Sequence, residues 1–176
     1  ENGNDIESLI HLFEEVKDID HPIVLHIHTE KGRGYQPALE NKEAFHWHMP
    51  FDLETGQSKV IDSGKSYSSV MLDYMDKKVS EGLPLVAINA AIPGIFGLKQ
   101  FAAKYPDRYI DAGIAEQFTI TFGGAMAAAG ARPIIFHNST FVQRAYDQVW
   151  HDLAINEEPA IVIVKGGVIS GSDETH

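Results

Sequence analysis

Apolar residues along this chain alternate between two patterns, one with a repeat near four and one of short continuous runs. Ile6, Leu9, Ile10 and Phe13 recur at helical spacing behind Asn4-Asp-Ile-Glu7, which has the form of a helix-start capping box. Pro22-Ile-Val-Leu-His-Ile-His28 then reads as a strand. One helix and one strand cannot bury their own faces, so this piece calls for a sheet supplied from elsewhere. From Thr29 to about Lys65 the composition turns to Gly, Pro, His, Asn and charge without a sustained period, the pattern of a crossing between domains.

A second unit starts near Ser66, where Tyr67, Val70, Met71, Tyr74 and Met75 repeat at helical spacing. Leu83-Pro-Leu-Val-Ala-Ile-Asn89 predicts a strand, and Leu98, Phe101, Ala102 and Tyr105 a short helix ended by Pro106. Tyr109-Ile-Asp111 predicts a short strand and Arg132-Pro-Ile-Ile-Phe-His137 another. A helix from Thr140 to about Ile155 and a strand over Pro159–Val164 close the series. Alternation of helix and strand is the mark of an α/β unit, a mostly parallel sheet flanked by helices. The segments expected are therefore 1–28, 29–65 and 66–176, the last incomplete at its carboxyl end. In such sheets ligands bind where strands end and helices begin, which is where Glu116, the Asn138–Phe141 turn and the Gly166–His176 segment fall.

Glu116 stands out. It opens a run, Glu116-Gln-Phe-Thr-Ile-Thr-Phe-Gly-Gly-Ala-Met-Ala-Ala-Ala-Gly130, that carries no other charge. A helix apolar on every side is expected to be buried. Burial penalises the charge of a carboxylate at its first turn while the helix dipole favours it, an opposition that suits proton transfer. Read from this segment alone, Glu116 either does that or merely complements the dipole.

Composition narrows the classes. The chain has 176 residues, 44% of them hydrophobic, enough for one domain with a core or one domain plus part of another. Its net charge of −11 and lack of a basic patch argue against nucleic acid or an anionic membrane as partner. Cysteine is absent, which removes disulfides and thiolate metal sites and accords with a reducing compartment. No stretch is apolar for long enough to span a bilayer. Glu1-Asn-Gly-Asn-Asp5 has no signal-peptide character, and a chain without a starting methionine is expected to be trimmed or a fragment. Nine histidines invite a metal reading, but neither His26/His28 nor His46/His48 has a nearby third ligand, so no metal site is expected. The acidic pairs Glu14-Glu15 and Glu157-Glu158 read as solvated surface.

Three stretches, Asp111-Ala-Gly-Ile-Ala-Glu-Gln117, Ser139-Thr-Phe-Val-Gln-Arg-Ala-Tyr-Asp-Gln148 and Thr175-His176, together resemble the 1-deoxy-D-xylulose-5-phosphate synthase family of transketolase-like enzymes. Glu30-Lys-Gly-Arg-Gly-Tyr35-Gln-Pro-Ala and Phe45-His46 resemble that family's crossing between its first and second domains. Agreement of several motifs in order and spacing is far more specific than any one of them. The resemblance covers nearly all of the chain and about the middle third of a family member. It implies that residues 1–28 end a diphosphate-binding domain, 29–65 link, and 66–176 form a pyrimidine-binding domain.

The implied activity is a transferase that condenses pyruvate with glyceraldehyde 3-phosphate to 1-deoxy-D-xylulose 5-phosphate, releasing carbon dioxide. The implied cofactors are thiamine diphosphate and magnesium. The implied setting is a cytoplasmic homodimer serving isoprenoid and thiamine biosynthesis. Glu116 matches the glutamate that exchanges a proton with the cofactor's aminopyrimidine, and His46 a catalytic histidine entering from the linker. Phe141 matches an aromatic packed on that ring, and Tyr35 and Lys31 match positions near the cofactor. Arg144, His176 and Lys165 match substrate-side positions, Arg144 gripping the acceptor phosphate. Read without the resemblance, Phe141 is an ordinary core aromatic, Arg144 pairs with Asp147 or Gln148, and the histidines sit in exposed loops. The family's Gly-Asp-Gly metal motif is not in the chain, so the magnesium ligands are expected before Glu1, and a third domain after His176.

Three positions depart from the family pattern. Asn138 stands where tyrosine is usual, Lys165 where arginine is, and Ser172 where aspartate is, with Asp173 beside it. All three belong to the acceptor side, so the cofactor assignment is firmer than the acceptor. The alternatives are a transketolase-like or keto-acid dehydrogenase-type relative with another acceptor, and a non-catalytic α/β association module.

Overall fold

The computed structural model describes residues 2–46, 48–60 and 64–166 and divides into two compact units, Glu1–Ser63 and Gly64–His176. In the first unit, helix α1 (Ile6–Val16) is capped by Asp5, whose carboxylate accepts the Glu7 N–H at 3.2 Å and the Ser8 hydroxyl at 2.7 Å. The cap is thus one residue later than the Asn4 box expected. No strand forms over Pro22–His28: a lone bridge joins His28 to Asn2, and Val24 is almost fully exposed. Among the described residues of this unit the apolar run has no sheet to pair with, so strand propensity alone does not order it into a ladder. Beyond it, helix α2 (Gln36–Glu40) follows a turn in which Gly32 and Gly34 adopt φ of +87° and +90°. A Cβ on Gly32 would lie 2.7 Å from the Ala38 carbonyl carbon, so the turn needs glycine on two counts.

The second unit is built on helix α3 (Tyr67–Ser80), capped by a reciprocal Ser66–Ser69 box, and four parallel strands in the order β2-β1-β3-β4. These are β1 (Leu85–Asn89), β2 (Tyr109–Asp111), β3 (Arg132–Asn138) and β4 (Ile161–Lys165). Between them lie α4 (Pro93–Phe96), α5 (Leu98–Lys104) and α6 (Glu116–Ala128). The α/β architecture is the one the alternating pattern predicts. Leu85, Ala87, Ile134 and Phe136 face one layer with Met75, Val79, Leu98 and Phe101; Val86, Ile88 and Ile135 face the other with Ile120, Ala145 and Leu153. Burial on both faces explains why β1 and β3 read as continuous apolar runs.

Three helical expectations change. On α3 the buried positions are Met75 and Val79, whereas Tyr67, Val70 and Tyr74 are exposed, so the stripe turned to the sheet lies to one side of the one expected. On α6 only one face is covered: Glu116, Thr119, Ile120, Gly123, Gly124 and Ala127 are buried, while Phe118 is exposed and stacks on Phe122. Residues 139–154 are not one α-helix. They form α7 (Ser139–Val142), a 3₁₀ turn (Gln143–Ala145), α8 (Tyr146–Gln148) and a π-helical turn (Val149–Ala154). Ala145, at φ −107° and ψ 20°, breaks the helical geometry next to Arg144.

α6 reaches the π-helical turn through Gly124. A Cβ there would stand 2.8 Å from the Asp152 carbonyl oxygen and 3.1 Å from Leu153 Cδ2. Gly124→Val is therefore expected to cost about 1–3 kcal/mol through overpacking. The measurement is the urea midpoint at unchanged slope, and an unshifted midpoint would show that the two elements separate freely.

Candidate active site

The carboxyl ends of β1, β2 and β3 converge on the start of α6. Asp111, the last residue of β2, organises this edge. One of its carboxylate oxygens accepts the N–H groups of Ala91 (2.9 Å) and Gly113 (3.0 Å), and the other accepts from Asn89 Nδ2 (3.1 Å) and the Tyr109 hydroxyl (3.3 Å). Ala91 has φ of +60°, a conformation that costs a non-glycine residue about 1–3 kcal/mol and that the Asp111 hydrogen bond helps to hold. Gly113, at φ +69°, turns the chain so that Ala115 leads directly into α6.

Glu116 then occupies the first helical position with 2% of its surface exposed. Its Oε1 accepts a hydrogen bond from Arg144 Nη1 at 3.1 Å. The Arg144 guanidinium carbon lies 5.6 Å from the centre of the Phe141 ring. The structure thus brings Glu116, Phe141 and Arg144 together, as the sequence leads one to expect. The partner of Arg144 is Glu116 and not Asp147 or Gln148, because the 3₁₀ turn after α7 redirects the side chain that a straight helix would have carried along its own surface. This pairing gives the buried carboxylate a half-exposed counter-charge in the free protein.

Beneath Glu116 lies a buried polar pair that sequence reasoning missed. His137 on β3 and Thr119 on α6 are both wholly buried, with His137 Nε2 2.9 Å from the Thr119 hydroxyl, which donates to the Glu116 carbonyl at 2.7 Å. Burial holds the His137 imidazole below the ordinary histidine range, partly offset by the Glu116 charge. The available signal was a single histidine inside the apolar run Pro133–His137, where a ring nitrogen needs a partner.

Asn138 ends β3 in register with Lys165 at the end of β4. Lys165 Nζ donates to the Ile95 carbonyl at 2.6 Å and sits 6.0 Å from the centre of the Phe96 ring. Its ammonium therefore crosses to α4, which follows β1. His176, Ser172 and Asp173 lie outside the described residues. In the first unit, Lys31 Nζ and His46 Nδ1 are 2.6 Å apart. Tyr35 meets Phe45 edge-on at 5.5 Å and Phe51 at 5.9 Å between ring centres. Lys31, Tyr35 and His46 thus belong to the first unit, while Glu116, Phe141, Arg144 and Lys165 belong to the second.

A parallel sheet with a buried carboxylate at a helix start, an arginine upon it and an aromatic alongside defines a class of binding domain. The chain belongs to the family of transketolase pyrimidine-binding domains, whose pattern residues 63–176 match. Beyond the domain, the whole chain is similar to 1-deoxy-D-xylulose-5-phosphate synthase 1 of Geobacter sulfurreducens, 41% identical over 99% of this chain and 28% of that protein. It is 43% identical to the enzyme of the same name from Geobacter metallireducens, over the same shares, and 39% identical to 1-deoxy-D-xylulose-5-phosphate synthase of Aquifex aeolicus. The chain spans little more than a quarter of the length of these relatives.

Proposed function

We propose that this chain supplies the pyrimidine side of a thiamine-diphosphate site in a transferase that joins pyruvate to glyceraldehyde 3-phosphate, yielding 1-deoxy-D-xylulose 5-phosphate and carbon dioxide. The observation that carries this reading is Glu116, a carboxylate buried at the start of α6 beside the only aromatic and arginine that the family resemblance assigns to the same region. The residues present fit the cofactor. At the same sheet edge Asn89 Oδ1 and Thr140 Oγ1 are buried without a hydrogen-bond partner among the described residues, a polar environment that suits a heteroaromatic ring bearing nitrogen donors and acceptors.

Thiamine diphosphate, when bound, supplies the carbon nucleophile and electron sink that decarboxylation of a 2-keto acid requires. Glu116 would hold a pyrimidine ring nitrogen and exchange a proton with it, from a carboxylate that is almost fully buried. Phe141 would supply an aromatic face for the ring. Arg144 would leave Glu116 to offer its fork to the acceptor phosphate. Lys31, Tyr35 and His46 act from the linker, His46 as a proton-handling group and Lys31 as its hydrogen-bond partner. Residues 1–28 are assigned to the end of a diphosphate-binding domain, 29–65 to the linker and 66–176 to the pyrimidine-binding domain. Magnesium is held by residues outside this chain, and His176 and Lys165 complete the substrate side. The direct test gives the full-length protein pyruvate, thiamine diphosphate and magnesium. Carbon dioxide release, and 1-deoxy-D-xylulose 5-phosphate on adding glyceraldehyde 3-phosphate, are expected; no release from pyruvate would end this reading.

The acceptor side carries its own expectation. Lys165 keeps the charge of an arginine without the planar fork, and its ammonium is engaged by the Ile95 carbonyl. Glyceraldehyde 3-phosphate use is therefore expected to be weaker than in a relative with arginine and tyrosine at these places. Lys165→Arg with Asn138→Tyr is expected to lower the KM for this aldehyde severalfold without changing cofactor affinity. An unchanged KM would show that the departures are neutral.

The assembly proposed is a cytoplasmic homodimer without nucleic-acid or membrane partners, consistent with a net charge of −11. No helix among the described residues is long and apolar enough to cross a membrane. The exposed Phe118, Ile114 ahead of it, and Tyr146 and Trp150 on the neighbouring helical turns give the second copy an apolar surface to cover. Phe118→Glu is expected to shift the full-length protein from dimer toward monomer in sedimentation equilibrium. A wild-type protein that sediments as a monomer would refute the dimer.

A further inference from the structure

Among the described residues of this unit His137 is the one imidazole enclosed on all sides, and what it touches gives it a definite protonation state. A hydroxyl has one proton to give, and a carbonyl can only accept. Thr119 therefore spends its proton on the Glu116 carbonyl, 2.7 Å away, and must accept from His137 across 2.9 Å. The proton of the neutral ring is thus on Nε2, and Nδ1 is bare. Nδ1 is buried with no partner among the described residues, an unfavourable arrangement that an apolar side chain on β3 would avoid. Burial also holds the ring below the ordinary histidine range, so it is neutral near pH 7. A donor kept at that cost is accounted for by what it holds.

We propose that His137 is a positioning residue for Glu116: its Nε2–H, relayed through the Thr119 hydroxyl to the Glu116 carbonyl, ties the first turn of α6 to β3 and fixes where the Glu116 carboxylate points. The reasoning is geometric. Ala115 offers no side-chain cap, so the turn that carries Glu116 lacks the usual local anchor. Arg144 contacts Glu116 from a half-exposed position and must be free to leave when substrate arrives. The His137–Thr119 pair is the anchor that stays, since both residues are wholly enclosed between β3 and α6. Gly123 permits this approach, because a Cβ there would stand 2.4 Å from Ile135 Cδ1, two residues before His137 on the strand. A shift of the first turn would carry the carboxylate away from the pyrimidine nitrogen, and small misplacements of a reacting group cost up to about a hundredfold in rate.

This inference rests on the cofactor reading above, and the test separates the two. Nitrogen NMR of the full-length protein labelled in histidine, without cofactor, is expected to show a His137 ring protonated at Nε2 and bare at Nδ1 at pH 7. The opposite tautomer, or an imidazolium, would overturn the proposal. In the thiamine-diphosphate and magnesium complex, deuterium exchange at the thiazolium carbon is expected to slow roughly tenfold in Thr119→Val, which keeps the shape and loses the hydroxyl. His137→Leu is expected to do the same, and the double variant no more than either. Thr119→Ser and His137→Gln, which restore a hydroxyl and an N–H, are expected to stay within about twofold of wild type, a rescue that packing alone does not produce. Should His137→Leu fail to fold, Thr119→Val and the NMR tautomer decide. Normal exchange in Thr119→Val while Glu116→Gln is slow would sink the positioning role alone. Normal exchange in Glu116→Gln would sink the site assignment and this inference with it.

Discussion

Glu116→Gln is expected to leave the fold intact and to slow deuterium exchange at the thiazolium carbon of bound thiamine diphosphate by about a hundredfold or more, the scale of a positioned acid–base group. The amide keeps the size of the carboxylate and an oxygen that can still accept from Arg144 Nη1, so the 3.1 Å contact does not force a rearrangement. The amide cannot gain and lose a proton as a carboxyl does. Because the native side chain is almost fully buried, water has no access to take over the exchange. Cofactor binding measured by calorimetry is expected to change much less than the exchange rate, since an amide could still hydrogen-bond a ring nitrogen. Exchange at the wild-type rate would make Glu116 a structural carboxylate and remove the basis of the functional assignment.

Much of this site can be read in the sequence because its parts sit at strand ends, and strand ends were marked by local chemistry. β1 and β3 announce themselves as unbroken apolar runs, and Asp111 and Gly113 mark the turn before α6. Glu116 was visible as the single charge at the head of an uncharged helix. Other features were invisible for physical reasons. An apolar helix looks buried on every side whether or not the surface it covers lies within the same chain, which is why Phe118 was expected to be inside. The break at Ala145 has no proline or glycine to signal it; it comes from tertiary packing of residues 139–154 against α6. That break points Arg144 at Glu116, so a pairing 28 residues apart could not be inferred from helical spacing. Strand propensity over Pro22–His28 misleads because a strand requires a neighbour, and the described residues of this unit offer only the single bridge to Asn2. His137 has no partner at metal-ligand spacing in the sequence, and its importance comes from burial opposite Thr119, 18 residues away.

The pairing of Arg144 with Glu116 sets up the second large effect. Arg144→Met is expected to raise the KM for glyceraldehyde 3-phosphate at least about thirtyfold, ~2 kcal/mol being the lower end of the cost of stripping one partner from a desolvated charge pair. Methionine keeps most of the aliphatic stem and removes the planar fork, which lies 5.6 Å from the centre of the Phe141 ring and suits a phosphate. Deuterium exchange at the thiazolium carbon is expected to stay within a few-fold of wild type, because the proton-exchanging carboxyl remains. The fold is expected to stand as well, because the half-exposed Arg144 belongs to neither of the two apolar layers packed on the sheet. Pyruvate decarboxylation without an acceptor should likewise continue. The variant therefore separates the two halves of the reaction, with donor chemistry retained and acceptor capture lost. A loss of exchange as large as that of Glu116→Gln would place Arg144 with the proton-transfer machinery instead, and an unchanged KM would show that the acceptor phosphate is held elsewhere.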